Sequence, residues 1–443
     1  MNLWHPNNWK NHHTLQQPVY PDENALQDAC NELSKLPPLV TPTEIENLKK
    51  YLAEASLGKR FILQGGDCSE SFADCCAEKI TNKLKVLLQM SLILVQGLGM
   101  PISRIGRIAG QYAKPRSEDL ETLNGVSLPS YRGDLINDAF FSEVGRVPNP
   151  QRMLQGYGLS SLTLNYIRAL VESGFADLHN PDQWQLPFLT HAKNGVRYHQ
   201  QASQLLKSIK LLEILSGGPA QNLEKVEFFT SHEALLLHYE AALTRKTTNG
   251  WYNLSTHFPW IGMRTGQIES GHVEYIRGIK NPVAIKVGPN MQANQLLKLI
   301  DIIDPHREPG KLTLIHRFGI SNISDNLPIL IKTVQQFGYK PLWICDPMHG
   351  NTHATDTGIK TREFKDISQE LELALKIHQD NQSILGGVHL ELTGEYVTEC
   401  VGGALELKET DLNTNYRSTV DPRLNAEQAL EMAFVIAEMA KFY

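Results

Sequence analysis

The sequence predicts an α/β fold: a (β/α)8 barrel of the TIM type, with an N-terminal extension and a helical insertion in the loop after the second strand. Three observations lead there. Eight short, β-rich apolar runs are spread along the 443 residues. Each ends in, or just before, a side chain able to bind a metal or an anion. From the third run onward, the spacing is regular and leaves room for one helix between strands. A barrel of this type assembles its active site from the carboxyl ends of its strands, so functional groups at those ends are what it requires.

The runs are FILQGGD (61–67), ISRIGRI (102–108), VEFFTSH (226–232), STHFPWIG (255–262), AIKVG (284–288), KLTLIHR (311–317), PLWICDP (341–347) and GGVHLEL (386–392). Their ends carry Cys68, Arg107, Glu233, Arg264, Lys286, Arg317, His349 and Glu391. Ahead of the first run, residues 1–58 read as the extension. It holds two tryptophans, Trp4 and Trp9, a helix near 22–35 and another near 42–57 with Thr41 or Thr43 as cap. Residues 59–443 then form the barrel domain. A helix through about 78–98 follows the first strand, its leucines and valines making one buried stripe.

The connection from about 109 to 225 is far longer than a usual βα loop. Its second half repeats apolar residues at helical spacing over 150–173 and 195–215, so a helical insertion is expected at about 140–220. A helix pair on a barrel loop serves regulation or subunit contact, or else only packs on the barrel. The last helix spans 425–441, capped by Asn425 with Gln428 at the third position, and its apolar stripe includes Leu430 and Phe434.

Bulk properties narrow the function. Hydrophobic residues make up 41% and charged ones 20%, as in an ordinary globular chain with ample core. The net charge of −6 and pI near 6.3 argue against a general nucleic-acid or anionic-membrane binder. The most apolar stretch, VLLQMSLILV (86–95), is too short to span a bilayer. No basic start followed by an apolar core opens the chain, so a cytoplasmic protein is expected. Cys30, Cys68, Cys75, Cys76, Cys345 and Cys400 are sparse and irregularly spaced, which reads as reduced thiols. The adjacent Cys75 and Cys76 lack a CxxC pattern and read as small buried hydrophobes.

Two constellations carry chemistry. Cys68, His349, Glu391 and Asp421 offer one thiolate, one imidazole and two carboxylates, a mixed set for a divalent metal. Such a set suits Mn2+, Co2+, Fe2+ or Zn2+ better than Mg2+ or Ca2+. Arg107, Lys114, Arg116, Arg264, Lys286 and Arg317 form the second. Six cations in one barrel mouth repel one another unless anions neutralise them, and the number fits two phosphate or carboxylate groups. A polarising metal with two anionic substrates leaves aldol-type condensation, isomerisation and phosphoryl transfer open. Neither a P-loop nor a Rossmann glycine fingerprint is present, against nucleotide chemistry.

The motifs resemble those of the type II 3-deoxy-D-arabino-heptulosonate 7-phosphate (DAHP) synthases. The matching segments include LQGGDCSESF (63–72), RIAGQYAKPRS (107–117), SHEALLLHYE (231–240), WIGMRT (260–265), NPVAIKVGP (281–289), CDPMHGNT (345–352), KTREF (360–364), GGVHLELTGEYVTECVGG (386–403) and DPRLN (421–425), and they run through essentially the whole chain in family order. The resemblance implies a metal-dependent barrel enzyme that condenses phosphoenolpyruvate with erythrose 4-phosphate in the shikimate pathway. Cys68, His349, Glu391 and Asp421 would hold the metal, with Mn2+ as the leading ion. Arg107, Arg264, Lys286 and Arg317 would hold phosphoenolpyruvate, and Lys114, Arg116, Ser117 and Asp346 would sit towards the erythrose phosphate. Lys286, Arg107 and His349 are the expected catalytic groups. The family also implies a homo-oligomer and control by aromatic amino acids.

Some positions depart from the family pattern. Met263 stands where members usually carry Glu, and Val420 where many have Cys, so a disulfide between that position and Cys68 is not expected. His316, Phe318 and Tyr396 are also unusual for their motifs. One reading is a paralogue that takes a modified aldehyde or imine sugar phosphate; neutral drift is the simpler one. A non-catalytic barrel that regulates a partner such as a chorismate mutase is the third, and retention of the metal and anion groups counts against it.

Overall fold

The computed structural model describes residues 4–177, 179–189, 192–216 and 227–439. Eight parallel strands close on themselves: β1 (Phe61–Gly66), β2 (Ile102–Arg107), β3 (Phe228–Glu233), β4 (Phe258–Ile261), β5 (Val283–Val287), β6 (Leu312–His316), β7 (Leu342–Cys345) and β8 (Leu385–Glu391). The hydrogen-bonded order runs β1-β8-β7-β6-β5-β4-β3-β2, with β8 pairing β1 to complete the barrel. Each of the eight apolar runs has become a strand. Parallel strands covered on both faces need continuous apolar sequence, and nearly every strand residue here is buried.

Helices α1 (Glu23–Lys35) and α2 (Pro42–Ser56) precede the barrel, and α3 (Ala77–Leu98) follows β1. Thr41 is the cap of α2. Its hydroxyl accepts from the Glu44 N–H, and the Glu44 carboxylate accepts from the Thr41 N–H at 2.8 Å. Leu48, Leu52 and Ala55 of α2 pack against Ile62, Ile105, Phe258, Ile315 and Leu342, so this helix closes the amino-terminal end of the barrel interior. Among the described residues, the opposite end is the one that opens into a cavity.

The long connection after β2 carries α4 (Gln151–Glu172) and α5 (Lys193–Ser216). The β-barrel is then wound by α6 (Leu237–Ala242), α7 (Gly271–Gly278), α8 (Ala293–Ile303), α9 (Ile323–Gln336), α10 (Phe364–Asp380) and α11 (Ala426–Met439). Asn425 caps α11 as expected: its side chain accepts from the Gln428 N–H at 2.9 Å, and Gln428 reaches back to the Asn425 N–H at 3.2 Å. The expected features at 1–3, 217–226 and 440–443 lie outside the described residues. Cys75 and Cys76 depart from expectation: Cys75 is half-buried and Cys76 exposed, because they lie in the turn that leads into α3, with Cys76 at its N-cap. Among the described residues, no helix is long and apolar enough to cross a membrane.

Candidate active site at the carboxyl end of the barrel

At the open end lies a small, polar-lined cavity with ≈ 70 Å³ of free interior. Seven of the eight strand-end residues line it: Cys68, Arg107, Glu233, Arg264, Lys286, Arg317 and His349. Lys114, Trp260, Met263 and Asp421 also line it. Glu391, the eighth, is fully buried beneath them.

Backbone geometry brings Lys114 into this ring. Residues 109–111 after β2 turn sharply, and the buried Glu70 carboxylate accepts from the N–H groups of Ala109, Gly110 and Gln111 at 2.8–3.0 Å. Gly110 sits at φ +154°, and a Cβ there would lie 2.4 Å from His232 Nδ1, so glycine is required. The turn aims the following segment back over the cavity. Lys114 Nζ then donates to Asp421 Oδ2 at 2.7 Å and to Cys68 Sγ at 2.5 Å.

The proposed metal ligands converge. Donor atoms of Cys68, Glu391 and Asp421 all lie within 4.8 Å of one another, and His349 joins through its Nε2, 3.0 Å from Glu391 Oε1. The other ring nitrogen, Nδ1, lies 2.7 Å from Asp346 Oδ2. A carboxylate behind a histidine in this way fixes the tautomer and ring plane of a metal ligand. An N, S and O donor set oriented by a supporting carboxylate fits a divalent transition metal. The Lys114 ammonium between Cys68 and Asp421 shows independently that this corner draws positive charge. Burial alone would raise the Asp421 carboxyl, but the Lys114 charge holds it well below the usual range. Burial pushes the Cys68 thiol up, and the Glu391 charge adds to this; a bound cation would reverse both effects.

Glu391 is held from three sides. Arg107 Nη2 lies 3.1 Å and Arg362 Nη1 2.7 Å from its oxygens, alongside His349. These neighbours overcome burial and hold the carboxyl well below the usual carboxylate range. Arg107 also donates to the Cys68 carbonyl at 2.9 Å and bonds His389 Nε2 at 2.7 Å. Burial, with Lys286 and Arg107 nearby, lowers the His389 pKa well below normal. The neutral ring therefore accepts from the arginine.

Lys286 sits on the cavity floor, ion-paired with the fully buried Asp346. Burial pulls its pKa down to about 8; Asp346 opposes the shift, while Arg107 and Arg317 add to it. Arg317 Nη2 donates to the His349 carbonyl at 2.7 Å, and Arg264 donates to Ser117 Oγ at 2.8 Å. Arg116 and Ser117 stand outside the cavity wall, with Arg116 paired to Glu121 at 2.5 Å. Asp346 is likewise absent from the wall; it lies beneath, joining Lys286 to His349.

The family model for the class-II DAHP synthetase family matches residues 4–437. The chain belongs to the class-II DAHP synthetase family. A phospho-2-dehydro-3-deoxyheptonate aldolase of Neurospora crassa is 47% identical over 453 residues, covering 98% of this chain and 94% of that protein. One from Streptomyces coelicolor is 44% identical over 435 residues, covering 98% and 96%. Membership in the class-II DAHP synthetase family agrees with the closed eight-stranded barrel and with the cationic mouth.

Several site residues escaped the reading from sequence. Arg362 is completely buried, donates to the Pro422 carbonyl at 2.6 Å and to Thr352 Oγ1 at 2.8 Å, and pairs with Glu391. It lies within the KTREF motif, but an arginine among polar residues reads as solvated. Glu70 and His389 also sit inside quoted motifs, where their type alone does not reveal what they touch. The thioether of Met263 packs so closely on Gly288 that a Cβ there would lie 2.3 Å from the sulfur.

Proposed function

We propose that this chain condenses phosphoenolpyruvate with erythrose 4-phosphate and water to give DAHP and inorganic phosphate, with the aid of a divalent metal. The observation that carries the reading is the cavity itself: an acidic N, S, O corner faces an arc of cations on one wall. A bound divalent ion, Mn2+ first and Co2+, Fe2+ or Zn2+ as alternatives, supplies a Lewis acid for the aldehyde carbonyl. Cys68, His349, Glu391 and Asp421 would hold it.

Arg107, Lys286, Arg264 and Arg317 bind and orient the carboxylate and phosphate of phosphoenolpyruvate. Arg107 and Lys286 are held rigid, the first by Glu391 and His389, the second by Asp346. Such preorganised charges stabilise developing negative charge without reorganising during the step. C3 of phosphoenolpyruvate forms the new bond to the aldehyde carbon. Water adds at C2, and the C2–O bond to phosphate breaks. Arg116 and Ser117, at the rim, take the erythrose phosphate, and Lys114 links that side to Asp421. Asp346 acts as a positioning residue for Lys286 and His349.

Purified protein with Mn2+ should consume phosphoenolpyruvate and release phosphate only when erythrose 4-phosphate is present. Absence of turnover with every divalent ion would overturn the reading. A second reading is favoured by Met263, which places an apolar thioether on the cavity wall beside Arg264. In that case a modified aldehyde or imine sugar phosphate is the better co-substrate. A panel of four- and five-carbon aldehyde phosphates, compared by kcat/KM in the native protein and in Met263→Glu, separates the two.

A further inference from the structure

The strands that feed the cavity also carry a second cluster on their outer face. His316 ends β6 and pairs in register with Cys345 at the end of β7. Glu370 of α10 comes down over both. One donor atom from each of His316, Cys345 and Glu370 lies within 4.8 Å of the other two, and all three residues are completely buried. They face away from the barrel interior. In the neighbouring register Ile315 pairs with Lys286, which points inward, so His316 points outward into the helix layer.

The decisive feature is the histidine. Neither ring nitrogen of His316 has a hydrogen-bond partner among the described residues. Its surroundings are rings: Phe318 stacks on it with centroids 6.0 Å apart, and Trp343 lies at 6.4 Å. A fully buried, unpaired imidazole N–H forfeits its hydration without compensation, so native chains rarely keep one. His378, 5.6 Å away by ring centroid, also leaves its Nε2 unpaired.

Glu370, by contrast, is held firmly. Its Oε1 accepts from the N–H groups of Phe318 and Gly319 at 3.0 and 2.9 Å, and its Oε2 accepts from Asn351 Nδ2 at 2.7 Å. Ligating carboxylates are commonly fixed by such hydrogen bonds, and lone pairs remain on each oxygen.

We propose that His316, Cys345 and Glu370 form a second, structural metal site for a thiophilic divalent ion of the zinc class, with His378 as the nearest candidate for a fourth ligand. Thiolate, imidazole and carboxylate donors suit Zn2+ and exclude Mg2+ and Ca2+. The ion would tie the ends of β6 and β7 to α10, behind Arg317 and Asp346, and so stiffen the floor of the cavity. Because the site is closed to solvent, the ion enters during folding. The site is independent of the metal corner formed by Cys68, Glu391 and Asp421.

The test uses the full chain carrying Cys68→Ser and His349→Ala, which removes the inner ligands. Protein produced in zinc-supplemented medium, or refolded in Zn2+, and then dialysed should keep close to one zinc per chain by elemental analysis. The same protein refolded in Co2+ should show a thiolate-to-cobalt charge-transfer absorption. Adding Cys345→Ser or His316→Ser should bring the zinc content to near zero and abolish that absorption, while circular dichroism still reports a folded barrel. Refolding with a chelator should lower the Tm of the double variant and leave that of the Cys345→Ser form unchanged. Two outcomes overturn the proposal: no zinc and no charge-transfer band in the double variant, or a band that survives Cys345→Ser. If Cys345→Ser fails to fold, His316→Ser gives the same reading.

Discussion

The inward and outward faces of β6 and β7 end only a residue apart, yet they solve the cost of burying polar groups in opposite ways. Inward, Lys286, Asp346, His349, Glu391, Arg107 and Arg362 form one chain of ion pairs in which each charge meets its opposite. Outward, His316 and Cys345 sit among rings and aliphatic side chains, and the imidazole goes unpaired. The inner set holds three cations, Lys286, Arg107 and Arg362, against the two carboxylates of Asp346 and Glu391, and it opens onto a cavity, as expected of groups that wait for anionic ligands. The outer set, His316 and Cys345 with the hydrogen-bonded carboxylate of Glu370, is closed, as expected of a site filled once during folding. Polar burial near an active site therefore need not serve catalysis, and the partners decide which kind it is.

The largest effect that tests this contrast is on activity. Cys68→Ala removes the thiolate of the inner corner while leaving the outer cluster whole. We expect kcat/KM for DAHP formation to fall on the order of 10³-fold, the several kcal/mol that a Lewis-acidic ion contributes. Unfolding by denaturant should show a cooperative transition close to that of the native chain. Full turnover in this variant would place the chemistry away from Cys68.

Arg362 tests the charge balance beneath the cavity. Arg362→Met keeps length and apolar bulk but leaves Glu391 with fewer buried partners. Breaking a buried pair by removing one member costs about 3–5 kcal/mol, because the remaining charge stays desolvated. That loss should appear in the urea midpoint at neutral pH. On the outer face, His316→Leu removes an unpaired ring at comparable volume and should cost less than about 1.5 kcal/mol in metal-free protein. Equal losses for the two variants would erase the contrast between the faces.

Much of the architecture was legible because a parallel barrel imposes it on the sequence. All eight strands appear as apolar runs, since both faces of each are covered, and their ends collect Cys68, Arg107, Lys286, Arg317 and His349 because the cavity opens at that end. What remained hidden are the partners. Arg362 reads as a surface cation until the fold brings it to Glu391, and Glu70 as one more acid until it is seen gathering three N–H groups of the turn before Lys114. The role of α2 was also hidden: Leu48, Leu52 and Ala55 make an ordinary amphipathic stripe, and periodicity does not say that it plugs a barrel. His316 was visible only as an odd residue in its motif, since a ring without partners is a property of the packed layer.

Asp346 links the two faces, following Cys345 in the chain and turning inward to His349. Asp346→Asn should keep the fold but lose the charge that fixes the His349 ring. Removing the support behind a metal-bound histidine weakens metal affinity about 10–100-fold. Competition with a chelator measures this, and zinc retention at His316 and Cys345 should be unaffected. If both sites lost their ions together, they would be one coupled unit rather than two.

The mildest effect concerns Lys286, the cation most dependent on its neighbours for its charge. Burial sets its pKa at about 8 in the free protein. An anionic ligand favours the charged form, so the pKa in the complex is higher than in the free chain. The sign follows: affinity for phosphoenolpyruvate is full below pH 8 and falls as the pH rises past it, because binding must then pick up a proton. One unit above that value, about a tenth of the chains still carry the charge, which weakens binding by up to about tenfold at pH 9. Calorimetric titration of phosphoenolpyruvate between pH 6.5 and 9.5, in two buffers of different ionisation enthalpy, reports both the affinity and the proton uptake. Lys286→Arg keeps a permanent charge and should flatten the profile over that range. A native profile already flat through pH 9 would mean that Asp346 holds the lysine charged without help, and that the Lys286–Asp346 pair is fully ionised before its ligand arrives.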